Sequence, residues 1–182
     1  MANRASGSLG LVQDFVNTLE VDAGRDAIPT PEALAAWLAA RGLLRGDGGA
    51  GEAGHALAVE FREVLRRLLL ANNGAAADVA DLALLDRVAA EGGLRPRFPS
   101  GDRVVLEPAE PGVRGALGRL LAAVADAMND GTWSRLKACA DRSCLWVFYD
   151  RSRNRSAHWC SMEVCGNRAK ARQFRRRHKA GV

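Results

Sequence analysis

Lysine is nearly absent from this chain: among 182 residues and 26 basic side chains, only three are lysine. A basic complement so one-sided reads as coding bias, so arginine as a residue type carries no recognition argument and only its clustering does. Apolar runs long enough to cross a bilayer are also missing, which excludes a membrane-spanning helix. With 48% hydrophobic residues, the expectation is a soluble chain of one or two domains with no membrane partner. The first ten residues show no basic stretch followed by an apolar one, so the expected location is cytoplasmic and disulfides are not expected. Only three histidines occur, at a helix start (His55), beside a cysteine (His158) and in the basic tail (His178). None belongs to a nucleophile or metal-hydrolase motif, and the glycine-rich stretch 46–51 lacks a P-loop lysine. No catalytic constellation emerges, and an enzyme is not expected.

The four cysteines, by contrast, are concentrated. Cys139 and Cys144 form one C-x4-C pair, Cys160 and Cys165 form a second, and fifteen residues lie between the pairs. Two short, equally spaced thiolate pairs can surround one tetrahedral zinc in a closed structural site. Two disulfides or four buried free thiols are the alternatives; the missing leader argues against the first and the equal spacing against the second. His158 could displace a cysteine, but four thiolates already complete the ligand set.

The residues around the pairs set the type of module. Residues 145–149 are aromatic and β-branched, and Ala157-His158-Trp159 is expected to pair with them across the polar turn 150–156. From Glu163 to about His178 the composition turns helical. This places the second cysteine pair at a helix N-terminus, where amides and the dipole favour thiolate. Knuckle, hairpin and helix together predict a treble-clef-like four-cysteine zinc finger.

Cys165-Gly166-Asn167-Arg168, with Trp159-Cys160-Ser161-Met162 before it and the stretch from Phe148 to Asn154 upstream, resembles the CGNR zinc-finger family of bacteria. Leu145 stands where family members often have glycine, and Ala157-His158 where basic residues are expected. Near the N-terminus, Asp14-Phe15-Val16-Asn17-Thr18 resembles the start of the ABATE domain that usually accompanies this finger, with Gln13 where an apolar residue is usual. The resemblance implies one structural zinc and a transcription regulator assigned to stress responses. It also implies an N-terminal domain that binds some ligand, and points for that role to Asp14, Asn17, Thr18, Trp37 and Arg135.

Charge divides the chain in the same place. From Thr132 onward 13 Lys/Arg face three Asp/Glu, a balance of +10, which leaves −5 on the first 131 residues. This reads as an acidic domain joined to a basic module that seeks a polyanion. Arg168, Arg172, Arg175 and Lys179 fall on one helical stripe, with Lys170, Arg176 and Arg177 flanking it. Arg151, Arg153 and Arg155 in the preceding turn are placed to grip a nucleic-acid backbone nearby. The plainer readings are a solvated tail, or a basic face docked on the chain's own acidic domain.

Periodicity predicts helices over 9–20 (Leu11, Phe15, Val16 and Leu19 inward), 30–42, 55–71, 75–91 and 113–128. In the second, Thr30 is the N-cap, Pro31 comes first, and Leu34, Trp37 and Leu38 face inward. The fourth is expected to bury Val79, Leu82, Leu85 and Val88, and a small hairpin joins 94–98 to 103–106. The expected fold is mainly α: a multihelical ABATE-like domain over 1–131 with one small β-hairpin, serving ligand sensing or dimerisation, and a zinc finger with a basic C-terminal helix over 132–182. The expected function is DNA-binding transcription regulation, with an unknown small-molecule effector and a homodimer as candidate partners. A protein-interaction or RNA-binding adaptor is the alternative. Chelation is expected to unfold the finger and spare most of the helices.

Overall fold

The computed structural model of the chain describes residues 3–45, 49–76 and 78–179, without the side chains of Arg176 and Lys179. Residues 46–48, half of the glycine-rich stretch at 46–51, lie outside the described residues.

Helix α1 spans Gly7–Val16, α2 Pro31–Ala39, α3 Gly51–Ala71, α4 Val79–Glu91 and α5 Gly112–Asn129. The core forms where the long α3, whose Leu57, Phe61, Val64, Leu65 and Leu68 are buried, meets the others. Phe15 lies between Trp37 and Phe61, its ring centroid 5.7 Å from the first and 6.0 Å from the second. Such tilted aromatic pairs contribute packing beyond their buried area. The start of α2 is as its sequence predicts: Thr30 Oγ1 accepts the Ala33 N–H at 3.3 Å and Pro31 occupies the first position.

Two helices differ from their periodicity. α1 stops at Val16, and Leu19–Glu20 (β1) pairs antiparallel with Arg25–Asp26 (β2) around Gly24, whose φ of +62° is left-handed. A distant partner fixes this ribbon, because the buried Arg62 guanidinium donates to both Asp26 oxygens at 2.8 and 2.9 Å. α4 begins later than predicted, after Asp78 accepts the Ala80 N–H at 2.9 Å. Its inward stripe is Asp81, Leu84 and Val88, while Val79 (80% exposed) and Leu82 (49%) face outward. The reason is polar: Arg67 donates to the buried Asp81 carboxylate at 2.6 and 3.0 Å, drawing that face toward α3. The predicted small hairpin forms from β3 (Leu94–Ser100) and β4 (Arg103–Pro108).

The C-terminal hairpin has a different partner from the one expected. β6 (Val147–Tyr149) pairs with β5 (Leu136–Ala138) upstream, Leu136 opposite Tyr149 and Ala138 opposite Val147. Residues 157–159 instead touch the knuckle through one bond, Ala140 N–H to the His158 carbonyl at 2.9 Å. The turn after β6 is wound around the buried Asp150, which accepts from Lys137 Nζ at 2.8 Å and from the Ser152 and Ala157 N–H groups at 2.9 Å. That winding carries the chain away before it can run beside β6. A π-helical turn, Met162–Gly166, then leads into α6 (Asn167–Lys179).

Leu136, Ala138 and Val147 belong to the same buried apolar cluster as α1 and α3, whereas Cys139, Cys144 and Cys165 form a separate one with Trp159 at its edge. Among the described residues no helix is long and apolar enough to cross a membrane.

Candidate metal centre and basic helix

The knuckle between β5 and β6 brings Cys139 and Cys144 together, and the π-helical turn brings Cys160 and Cys165 to meet them. All four Sγ atoms lie within 4.8 Å of one another, with Cys144–Cys160 and Cys160–Cys165 at 3.7 Å. A tetrahedral zinc with Zn–S bonds of about 2.3 Å sets its sulfurs about 3.8 Å apart, so the cluster fits one zinc ion. The thiols are also free of disulfides. Their mutual hydrogen bonds concentrate charge on one sulfur: donation from Cys144 and Cys160 holds Cys139 at about 2. Bonding to Cys139 pushes Cys144 up to about 12 and raises Cys160 further, while burial raises Cys165. Only a cation would let all four ionise at this distance, and the residues present supply the soft, closed donor set that zinc favours.

Each residue of the motif 165–168 has a physical task. Cys165 supplies a sulfur. A Cβ on Gly166 would meet Met162 Sδ at 2.5 Å, so any larger residue there must displace the end of the half-exposed Met162 side chain. Asn167 Nδ2 donates to the Glu163 carbonyl at 2.9 Å, tying the turn to the start of α6. Arg168 reaches the buried Asp141 of the knuckle at 4.0 Å, and Arg172, one turn later, reaches it at 3.3 Å. The knuckle therefore anchors α6 as well as the metal. Leu145, at a position where the CGNR resemblance led to the expectation of glycine, holds φ at +54°, a left-handed conformation that side chains disfavour.

The expected nucleic-acid residues divide into two groups. Arg168 and Arg172 are engaged by Asp141; Lys170 and Arg175 face outward on α6 beside Phe174, which is 64% exposed. Arg151 donates to the Arg4 carbonyl at 2.9 Å, Arg155 to Ser134 Oγ at 3.0 Å, and Arg153 is exposed. The side chains of Arg176 and Lys179 lie outside the described residues.

The junction with the helical body is made by side chains that bond main-chain atoms of the finger. Asn17 donates to the Val147 carbonyl at 2.9 Å and accepts its N–H at 2.8 Å, while Gln13 Nε2 donates to the same carbonyl at 3.0 Å. From α3, the buried Arg66 reaches the Leu145 carbonyl at 3.1 Å. At its end Asn72 and Asn73 hold the Leu136 and Ala138 carbonyls at 3.0 and 2.8 Å. His158 takes no part in the sulfur cluster; its Nδ1 lies 2.7 Å from Asn73 Oδ1.

Four of the five residues expected to bind a ligand, Asp14, Asn17, Thr18 and Trp37, line one cleft of about 590 Å³ between α1, α2 and the finger. Arg135 lies elsewhere and donates to the Asp150 and Ser152 carbonyls at 3.0 Å. Asp141, the junction residues Arg66, Asn72 and Asn73, and Arg41 and Trp146 of the cleft are not among the site residues expected from the sequence, where Gln13 stands only as a departure from the ABATE pattern. A signal existed for some: two acids stand among the basic residues of 135–155, and a glutamine stands among the apolar residues of α1.

Comparison with known families places the two regions. Residues 9–131 match the family ABATE, described as "Putative stress-induced transcription regulator". Residues 135–178 match the CGNR zinc finger. No curated protein matches the chain.

Proposed function

Since the chain belongs to the ABATE family and carries a CGNR zinc finger, we propose that it is a transcription regulator whose finger binds DNA and whose helical body receives the regulating signal. The observation that carries this reading is α6, a basic helix held to a zinc knuckle through Asp141 with Lys170 and Arg175 directed outward. A zinc-ordered basic helix is suited to a groove, with backbone phosphates gripped by neighbouring arginines such as Arg153. The +10 balance from Thr132 onward supplies the long-range attraction.

The test is binding of the zinc-loaded protein to a random duplex pool and to enriched genomic fragments across a salt series. The expected result is preference for particular fragments, with an affinity that falls as salt rises by a slope of about −0.9 per phosphate contacted, and loss of binding in Cys165→Ser. Indifference to duplex DNA at low salt by a protein with full zinc content defeats the reading. One observation favours a second reading, an adaptor for protein or RNA: Phe174, Met162 and Val164 are all exposed on the finger. Retention of a protein or single-stranded RNA partner by a finger that ignores duplexes supports that alternative.

A further inference from the structure

The cleft between body and finger has a definite chemistry. Its walls are aromatic, with Trp37 from α2 and Trp146 and Phe148 from the finger hairpin. Most of its polar groups are already satisfied. Asn17 is committed to Val147, Thr18 Oγ1 donates to the Phe15 carbonyl at 2.8 Å, and both Asp14 oxygens accept from Arg4 at 3.1 and 2.6 Å. Arg41 is different. Its guanidinium lies 3.9 Å above the centre of the Trp37 ring and gives one N–H to the Trp37 carbonyl at 3.2 Å. No carboxylate among the described residues pairs with it, and a guanidinium offers five N–H donors in a flat fork. Two cations, Arg4 and Arg41, thus face one carboxylate in a space within the usual range for small-molecule sites.

We propose that this cleft binds a small aromatic carboxylate, its ring against Trp146 and the exposed edge of Trp37 and its carboxylate on the free fork of Arg41. A cationic ligand is disfavoured because the single acid is already paired with Arg4, and a neutral one forgoes the charge-assisted bond to Arg41. The site deepens the reading of the body as a receiver of signals and is independent of what the finger binds. It also supplies a route between the two: Cys160, one of the four sulfurs, lines the same cleft. The Trp146 carbonyl, in addition, accepts the Cys139 N–H at 2.9 Å. A bound ring therefore braces the metal cluster from the side.

The experiment titrates the zinc-loaded full chain with benzoate, indole-3-carboxylate and 1-naphthoate, each beside its neutral amide, by calorimetry and tryptophan fluorescence. The expected result is saturable one-to-one binding of at least one acid, about tenfold or more tighter than its amide. Arg41→Gln, checked for native circular dichroism and full zinc content, weakens that acid by a similar factor, while Arg41→Lys retains part of the affinity. The bound acid also slows zinc transfer to a colorimetric chelator. The proposal is overturned if no acid saturates the protein, if amide and acid bind alike, if folded Arg41→Gln binds as well as the parent chain, or if zinc transfer is unchanged at saturating acid. None of these readouts contains DNA, so loss of the DNA-binding reading and loss of this site are separate results.

Discussion

The two halves of the finger are built on different physics. The hairpin half, β5 and β6, has Leu136, Ala138 and Val147 in the main apolar cluster, and its main chain is held by Asn17, Arg66, Asn72 and Asn73. The distal half, from the Asp150 turn through α6, has no comparable core among the described residues: its buried Cys165 packs against Cys139 and Cys144 of the knuckle. Burying a few methylenes stabilises a hairpin through removal of apolar area from water, whereas three thiols do so only when a metal joins them. Dependence on zinc is therefore concentrated in the distal half, and the charge change near Thr132 does not coincide with the edge of the apolar core.

The largest effect tests that contrast. Stripping the metal, or Cys165→Ser, releases residues beyond about Asp150 to exchange and proteolysis, since structural zinc contributes on the order of 10 kcal/mol in isolated fingers. Amides of β5 and β6 remain protected in hydrogen exchange; equal loss across both halves breaks the comparison.

Next is the buried ion pair of Lys137 (4% exposed) with Asp150 (1%). Asp150→Ala strands a buried ammonium and the N–H groups of Ser152 and Ala157, and should cost about 3–5 kcal/mol in denaturant unfolding. Lys137→Met in the same chain recovers part of the loss. Burial alone raises the carboxyl, but bonds from Lys137, Ser152 and Ala157 outweigh it and hold it at about 2, below the ordinary 3.8. The carboxyl's contribution is thus complete above about pH 4 and fades as pH falls toward 2.

Asn17→Ala removes two bonds to Val147 and should cost about 1–3 kcal/mol, seen as a lower melting temperature at full zinc content. An unchanged melting temperature there assigns the junction to apolar packing alone. The smallest effect is at Leu145. Leu145→Gly should shift stability by no more than about 0.5 kcal/mol, because relief of the left-handed strain offsets glycine's greater unfolded freedom. A β-branched Leu145→Val should cost about 1–2 kcal/mol by calorimetry.

Local patterns were legible where one element decides its own conformation. The Thr30–Pro31 start, the helices α3 and α5 and the two cysteine pairs are all written in short spacings. The early end of α1 and the outward face of α4 were hidden because distant arginines decide them, Arg62 for Asp26 and Arg67 for Asp81. Three-residue strands carry too little alternation to name their partner, so β6 was paired with residues 157–159 rather than with β5. Asp14, Asn17, Thr18 and Trp37 line one cleft and Arg135 does not, and the finger's share of that cleft, Trp146 and Phe148, had no local signature.

The junction has a further consequence for how such a chain can diversify. Asn17, Gln13, Arg66 and Asn72 address carbonyls and amides of the finger, groups that every sequence of the same backbone presents, while Asn73 also meets the His158 side chain. A coupling of this kind does not read the identity of the residues it holds. The outward side chains of α6, such as Lys170 and Arg175, can be exchanged without altering the fit, so the finger behaves as an interchangeable tool-bit in a fixed chuck.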